Sequence, residues 1–305
     1  MRKYLDKTAG LILHFRTPDK TLRCIHSLVQ QGISFIILVD NSEDGGMSLS
    51  ILQPALQTFI NQGIQVHTLA TGQNQGFAKG VNMGFGFAQS HSMDFLLLIN
   101  SDAYFETTSI TPMFEALSQA SICIPKVKSN PDSIAHSLFG YYQKATAFNY
   151  SIPKAGCVKY ASGCCQLIKI KDFKPPFLDE ELFFYGEDVV LGHHLKINLL
   201  KAVESEKTHI IHEGSGSAKN GSLFYEYHLN RSHWITACKL SSNNAQSKTY
   251  LFIRCITLPT RAVIRSIRYG NLTAWRGLVM ATTDIAFGRF RSLTPPAKSS
   301  ETSQS

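Results

Sequence analysis

The chain has 305 residues, 44% of them hydrophobic and 17% charged, which allows a sizeable core and excludes a disulfide-stapled mini-protein and a disordered chain. Lysine and arginine number 30 against 22 acids, and the net charge of +8 points to an anionic partner: nucleic acid, nucleotide phosphates or an acidic membrane face. The seven cysteines form no C-x-x-C pair, so zinc-ribbon and thioredoxin-type motifs are absent and the thiols read as reduced and mostly buried. In chain order, residues 10–15 predict a buried strand. Thr17-Pro18 suits a helix start, with Leu22, Ile25 and Leu28 on one face and Gly32 as a stop. His14 and Arg16 interrupt the early apolar run, so it is not a signal peptide. Further strands are expected at 35–39, 64–69 and 95–99, and helices at 54–61 and 77–90. This alternation argues for an α/β fold with a mostly parallel central sheet flanked by helices.

Beyond it, residues 161–170 predict a strand, 187–199 a helix and 208–212 a short strand running into a flexible Gly-Ser loop at 214–217. Residues 223–240 look helical, 241–248 read as a linker, and two helices are expected at 250–269 and 272–287, the first kinked or broken at Pro259. The tail from residue 292 is expected to be disordered. The domain reading is therefore a body over 1–240, a basic helical extension over 241–291 and a tail over 292–305. No run of about 18 apolar residues suits a membrane span.

Polar residues gather at the ends of the expected strands, the edge where open α/β sheets bind ligands. Asp40 directly follows one strand. It can accept from a base N–H or a ribose hydroxyl, or cap the next turn. Residues 73–82 join a strand to a helix. Gly76 lets backbone approach a ligand there, and the helix N-terminus attracts phosphate, although no dinucleotide fingerprint is present. Asn100-Ser101-Asp102 ends the most apolar strand, where a carboxylate can bind Mg²⁺ or Mn²⁺ or close a turn. Glu187 and Asp188 lie beside the aromatic run Phe183-Phe184-Tyr185. Desolvation there suits a general base, while the first helical turn also favours acids for capping. His212 could complete a metal site begun by Asp102.

Several segments taken in order carry a resemblance: Val39-Asp40-Asn41-Ser42, Asn74-Gln75-Gly76-Phe77-Ala78, Leu97-Leu98-Ile99-Asn100-Ser101-Asp102, Ser162-Gly163, Phe183 to Val189, and His212 with Gly214. Over about residues 9–240 the chain resembles the inverting family 2 glycosyltransferases, which have a GT-A fold, and among them the rhamnosyltransferase-like bacterial members. The resemblance implies transfer of a sugar from a UDP-, dTDP- or GDP-linked donor to a glycan or lipid-linked acceptor in lipopolysaccharide, O-antigen or capsule assembly. It implies that Asp40 contacts the base, that Asn74, Gly76, Lys79 and Asn100 lie at the nucleotide or its diphosphate, and that Asp102 and His212 hold Mg²⁺ or Mn²⁺. It assigns Asp188 as the base that deprotonates the acceptor.

The chain departs from the family at Asn100, which replaces the first acid of a D-x-D element, and at Val190, which replaces a second acid after Asp188. Both motivate a second reading, a catalytically weak nucleotide-sugar or glycan binding protein on the same fold. A nucleotidyltransferase ranks last, because residues 11–21 lack its glycine cluster. The charge is uneven: residues 1–248 carry +2, while 249–291 carry seven arginines against one aspartate. Arginines mixed with apolar residues suit a helix on an anionic membrane surface, or a packing helix with solvated arginines. No nucleic-acid motif accompanies them. The expected location is cytoplasmic, peripheral on the inner face of the cell membrane.

Overall fold

Three apolar runs of the first half are buried on both faces, as parallel strands sandwiched between helices must be, and a fourth, more polar strand lies half-buried at the sheet edge. In a computed structural model, which describes residues 2–214 and 220–294, they form β1 (Thr8–His14), β2 (Phe35–Asp40), β3 (Gln65–Ala70) and β4 (Phe95–Asn100). A short α1 (Arg2–Leu5) precedes them, and α2 (Pro18–Gln30), α3 (Met47–Asn61) and α4 (Gly76–Ser90) connect them. Then follow β5 (Ala103–Tyr104), α5 (Thr111–Leu117), β6 (Ile122–Lys128), β7 (Phe139–Gln143), β8 (Asn149–Tyr150), β9 (Cys157–Ala161) and β10 (Cys165–Lys169). The last elements are α6 (Glu187–Ile197), β11 (Ala202–His212), α7 (Leu223–Lys239), α8 (Asn244–Tyr269) and α9 (Thr273–Ala286).

The main sheet runs β3-β2-β1-β4-β10-β6-β11-β5, and β8-β7-β9 form a small antiparallel sheet. Strands β3, β2, β1 and β4 are parallel neighbours, while β10 runs antiparallel between β4 and β6. Side-chain alternation divides each strand between two cores. Ile36, Leu38, Leu97 and Ile99 face Ile25, Leu28, Leu52 and Phe59 of α2 and α3. Ile37, Val39, Leu96 and Leu98 face Val81 and Phe85 of α4 and Leu191 of α6.

Four expectations are corrected here. Helix α3 begins at Met47, not at 54, because Leu52, Leu56 and Phe59 share one buried face across Pro54. The expected 161–170 strand is split: β9 belongs to the small sheet, β10 to the large one, and Ser162-Gly163-Cys164 turns between them. The expected linker already contains the start of α8, with the Asn243 side chain accepting from the Gln246 amide at 2.9 Å. The helix continues through Pro259, since Arg254, Leu258 and Ala262 hold its buried face on both sides of the proline.

A third core joins Tyr142, Val158, Leu182, Val189 and Val190 to Leu240, Leu258, Ala262, Ala274 and Leu278. The C-terminal helices thus share a core with the body. The tail is held at its start: His228 Nε2 bonds the Ser292 carbonyl at 2.6 Å, and Asn74 Nδ2 donates to Thr294 Oγ1 at 3.2 Å. Residues 295–305, and 215–217 of the Gly-Ser loop, lie outside the described residues.

Candidate active site

At the carboxyl ends of β1 and β4 lies a cleft of about 280 Å³. It is lined by His14, Asn41, Asn74, Gly76, Asn100, Asp102, Glu187, Asp188 and His212, with Phe184, Tyr185 and Phe224 as an aromatic wall. Six residues singled out from the sequence meet here although they span positions 74 to 212. The parallel register explains part of this: Leu13 of β1 sits opposite Asn100 of β4. A backbone bond from the Asn100 amide to the Cys164 carbonyl, 2.9 Å, fixes the Ser162–Cys164 turn beside it.

Asp102 and His212 meet because β5 pairs antiparallel with the end of β11, with Ala103 opposite His212. The Glu213 amide donates to the Asp102 carbonyl at 3.1 Å. Their side chains are 3.2 Å apart, from His212 Nε2 to Asp102 Oδ1. Burial opposes charge on His212, but bonds to Asp102 and the Cys164 thiol outweigh it and push the imidazole up to about 10. Burial likewise raises Asp102, yet the His212 bond leaves it below the ordinary aspartate value. No group of three or more His, Cys, Asp or Glu side chains suited to a metal occurs among the described residues. A carboxylate and an imidazole on the cleft wall still fit a divalent ion whose remaining ligands are substrate phosphate oxygens and water, the usual partial cage of Mg²⁺.

Opposite chemistry surrounds Glu187 and Asp188 in the first turn of α6, whose preceding Gly186 has φ +87°. Burial raises both carboxyls, and mutual repulsion raises Glu187 further. Glu187 Oε2 is buried without a hydrogen-bond partner among the described residues. Asp188 keeps more of its acidity, because the Val189 amide donates to its Oδ1 at 2.8 Å and the Gly163 amide also bonds the carboxylate. A half-buried carboxylate with a raised proton affinity, open to the cleft, can accept a proton from a bound hydroxyl.

Gly76 serves a close approach. Its φ is +80°, and a Cβ there would strike the Phe183 carbonyl. That carbonyl accepts from the Phe77 amide at 2.8 Å, and Asn41 Nδ2 donates to the Gly76 carbonyl at 2.9 Å. The end of β2, the start of α4 and the loop that carries Phe183 are thereby stitched together around the cleft.

Two expected contacts do not line it. Asp40 is buried and its Oδ1 accepts from the Ser42 amide at 3.0 Å, so it closes the turn after β2. Lys79 is exposed on α4, away from the lining. Asn41, Cys164 and Phe224 were not singled out as cleft residues. Adjacent residues leaving a strand point to opposite sides, which is the signal that makes Asn41 the alternative to Asp40. His14 borders the cleft, but its ring is held by Thr21 Oγ1 at 2.7 Å and Ser48 Oγ at 3.0 Å.

The family model for glycosyl transferase family 2 matches residues 11–174, more than half of the chain. No curated protein sequence matches. Among solved structures, GalNAc-T7 with UDP, GalNAc and Mn²⁺ matches at TM-score 0.55 and 12% identity, over 95% of this chain and 58% of that one. This chain thus spans less than two thirds of the GalNAc-T7 chain. The mannosyltransferase PcManGT from Pyrobaculum calidifontis, in complex with GDP-Man and Mn²⁺, matches at 0.54 and 8% identity, over 93% and 88% of the two chains. TarS 1–349 from S. aureus matches at 0.51 and 12% identity, over 93% and 92%. These likenesses show the GT-A fold, and with the matched model they show that the chain belongs to glycosyl transferase family 2.

Proposed function

We propose that the protein transfers a sugar from a nucleotide-diphosphate donor to a hydroxyl acceptor with inversion. The observation that carries this reading is the convergence, in one cleft, of the Asp102–His212 pair with the raised carboxyl of Asp188. Asp102 and His212 would hold Mg²⁺ or Mn²⁺, and Asn74, Gly76 and Asn100 border the space for the diphosphate. Two structures of the same fold contain Mn²⁺ with UDP or GDP-Man, which supports such a cofactor. Held by Asp102 and His212, such an ion would supply neutralisation of charge on the leaving diphosphate. Asp188 removes the proton from the acceptor hydroxyl. That oxygen bonds to the anomeric carbon as the bond to the diphosphate oxygen breaks on the opposite side. Phe184, Tyr185 and Phe224 limit water beside Asp188.

The finer reading rests on the sequence resemblance: a hexosyl or rhamnosyl donor on UDP, dTDP or GDP, and a glycan or lipid-linked acceptor of bacterial surface polysaccharide. We place the protein in the cytoplasm, attracted to the inner face of the membrane by its basic C-terminal helices. No helix among the described residues is long and apolar enough to cross a membrane. The domain reading is retained as a body over 1–240 and an extension over 241–291 that packs on it.

The weak-binder reading draws on Asn100, which lines the cleft. Val190 does not support it, since it is 1% exposed and packs in the third core, outside the cleft lining. A panel of nucleotide-sugars, screened by thermal shift with and without Mn²⁺, tests the donor. A metal-dependent shift with one nucleotide class is expected, lost in His212→Ala. Release of nucleoside diphosphate that depends on Asp102 rejects the weak-binder reading, and no shift with any donor rejects the transferase.

A further inference from the structure

Helix α8 is amphipathic, but three of its four arginines face inward. Arg254 is fully buried, donating through Nη1 to Thr236 Oγ1 at 3.0 Å and through Nη2 to the Lys144 carbonyl at 2.5 Å. Arg261 Nη1 lies 2.6 Å from His233 Nε2, and Arg265 Nε donates to Glu226 Oε1 at 2.7 Å. The spacing of 254, 261 and 265 places all three on the side that meets the body. The opposite side carries Phe252, Ile256, Ile264 and Ile267, exposed to 70, 60, 60 and 78%. Fifteen residues separate the first from the last, so the apolar stripe is about 22 Å long. Leu272, in the turn to α9, is exposed to 72%.

The charge around this stripe has one sign. Exposed Lys248, Arg268, Arg276 and Arg289 belong to α8, α9 and the segment that follows. The single acid between residues 244 and 290, Asp284, is buried and paired with Arg291 at 3.0 Å. A second copy pairing through the same face would bring like charge to like, whereas an anionic surface complements it.

We infer that the outward face of α8 docks the protein on an anionic phospholipid bilayer, with Phe252, Ile256, Ile264 and Ile267 entering the acyl boundary and the exposed bases meeting phosphate headgroups. This rests on the membrane reading above and deepens it: the buried arginines hold the helix to the body, and the apolar side makes the contact. The segment after α9 reaches the wall of the active site. Phe290, just after α9, packs on Phe183 at 5.2 Å, next to the cleft residue Phe184.

The test is co-sedimentation of the full chain with vesicles of phosphatidylcholine containing roughly one third phosphatidylglycerol. Phe252→Ser/Ile264→Gln/Ile267→Gln should lower the partition coefficient at least about tenfold, because each apolar side chain contributes to burial. Its donor hydrolysis without vesicles and its thermal midpoint should be unchanged. Thr260→Glu, which sets a carboxylate within the same exposed face, should weaken partition on its own. Undiminished partition of both variants, with wild-type binding that salt abolishes, overturns the apolar contact and leaves an electrostatic membrane reading standing. Absence of wild-type binding overturns both. Equal partition onto pure phosphatidylcholine overturns the anionic surface. A wild-type dimer in lipid-free light scattering that the triple variant dissolves assigns the face to a second copy and overturns the proposal.

Discussion

The cleft and the C-terminal hairpin both bury charge, but for different partners. In the cleft, Asp102, His212, Glu187 and Asp188 are enclosed by the fold yet open to a ligand, and their proton affinities are displaced from ordinary values. In the hairpin, Arg254, Arg261 and Arg265 are enclosed by neighbouring side chains and carbonyls, and the surface left outside is apolar. The same physical penalty for burying charge is met by a partner waiting in the protein in one region, and left partly unmet in the other. A shortage of internal partners therefore marks a catalytic site, and a surplus marks structural charge. The orphaned Oε2 of Glu187 and the multiply bonded guanidinium of Arg254 are the two extremes.

The comparison breaks most visibly at Asp188. Asp188→Asn should lower turnover about 10²–10⁴-fold, the range of general-base catalysis, while nucleotide affinity by calorimetry stays near wild type. Near-normal turnover would remove Asp188 from the proton transfer. Next in size is Arg254→Ala, which strands the Lys144 and Ala145 carbonyls. Loss of about 2–4 kcal/mol in urea unfolding is expected, against about 0.5 kcal/mol or less for exposed Arg268→Ala. Equal losses would show that the inward arginines are not structural.

The pH dependence sharpens the contrast further. Glu187 has a folded-state proton affinity raised above its unfolded value, so its neutral form favours the fold. That contribution is full below the ordinary glutamate pKa and is lost as pH rises through the raised one. Glu187→Gln should therefore gain on wild type in melting temperature as pH increases, and a difference constant with pH would contradict the burial argument. The smallest effect is expected at Ile264→Gln, which should change lipid-free stability by no more than about 0.5 kcal/mol. A larger loss would mean that this face packs against something in the folded chain.

Much of this was readable from local pattern. Three of the four parallel strands were legible as short apolar runs ended by polar residues, the edge strand β3 by its alternation of polar and apolar residues, and Asn100-Ser101-Asp102 because it ends the most apolar strand. The acidic pair was legible from its place between an aromatic run and a helix start. Other features had no local signal. The meeting of Asp102 with His212 depends on the β5–β11 register, which joins residues 110 positions apart. Gly76 looked like a phosphate-loop glycine, and its additional duty, admitting the Phe183 carbonyl, involves a segment more than 100 residues away. Tyr227 and Arg231 of α7 anchor the C-terminal segment, again across a long separation: Tyr227 donates to Asp284 Oδ2 at 3.0 Å, and Arg231 lies 5.2 Å from the Phe290 ring centre.

The amino-acid sequence alone determined the α/β alternation, the cleft edge and most residues on it, because periodicity and strand-end polarity act over a few neighbouring residues. Tertiary structure decided that Asn41 rather than Asp40 faces the cleft, and that Arg254, Arg261 and Arg265 of α8 turn inward. Those choices depend on where buried charge and amides find partners, and the partners, such as Thr236, Glu226 and the Lys144 carbonyl, reach the same place only after the chain has folded.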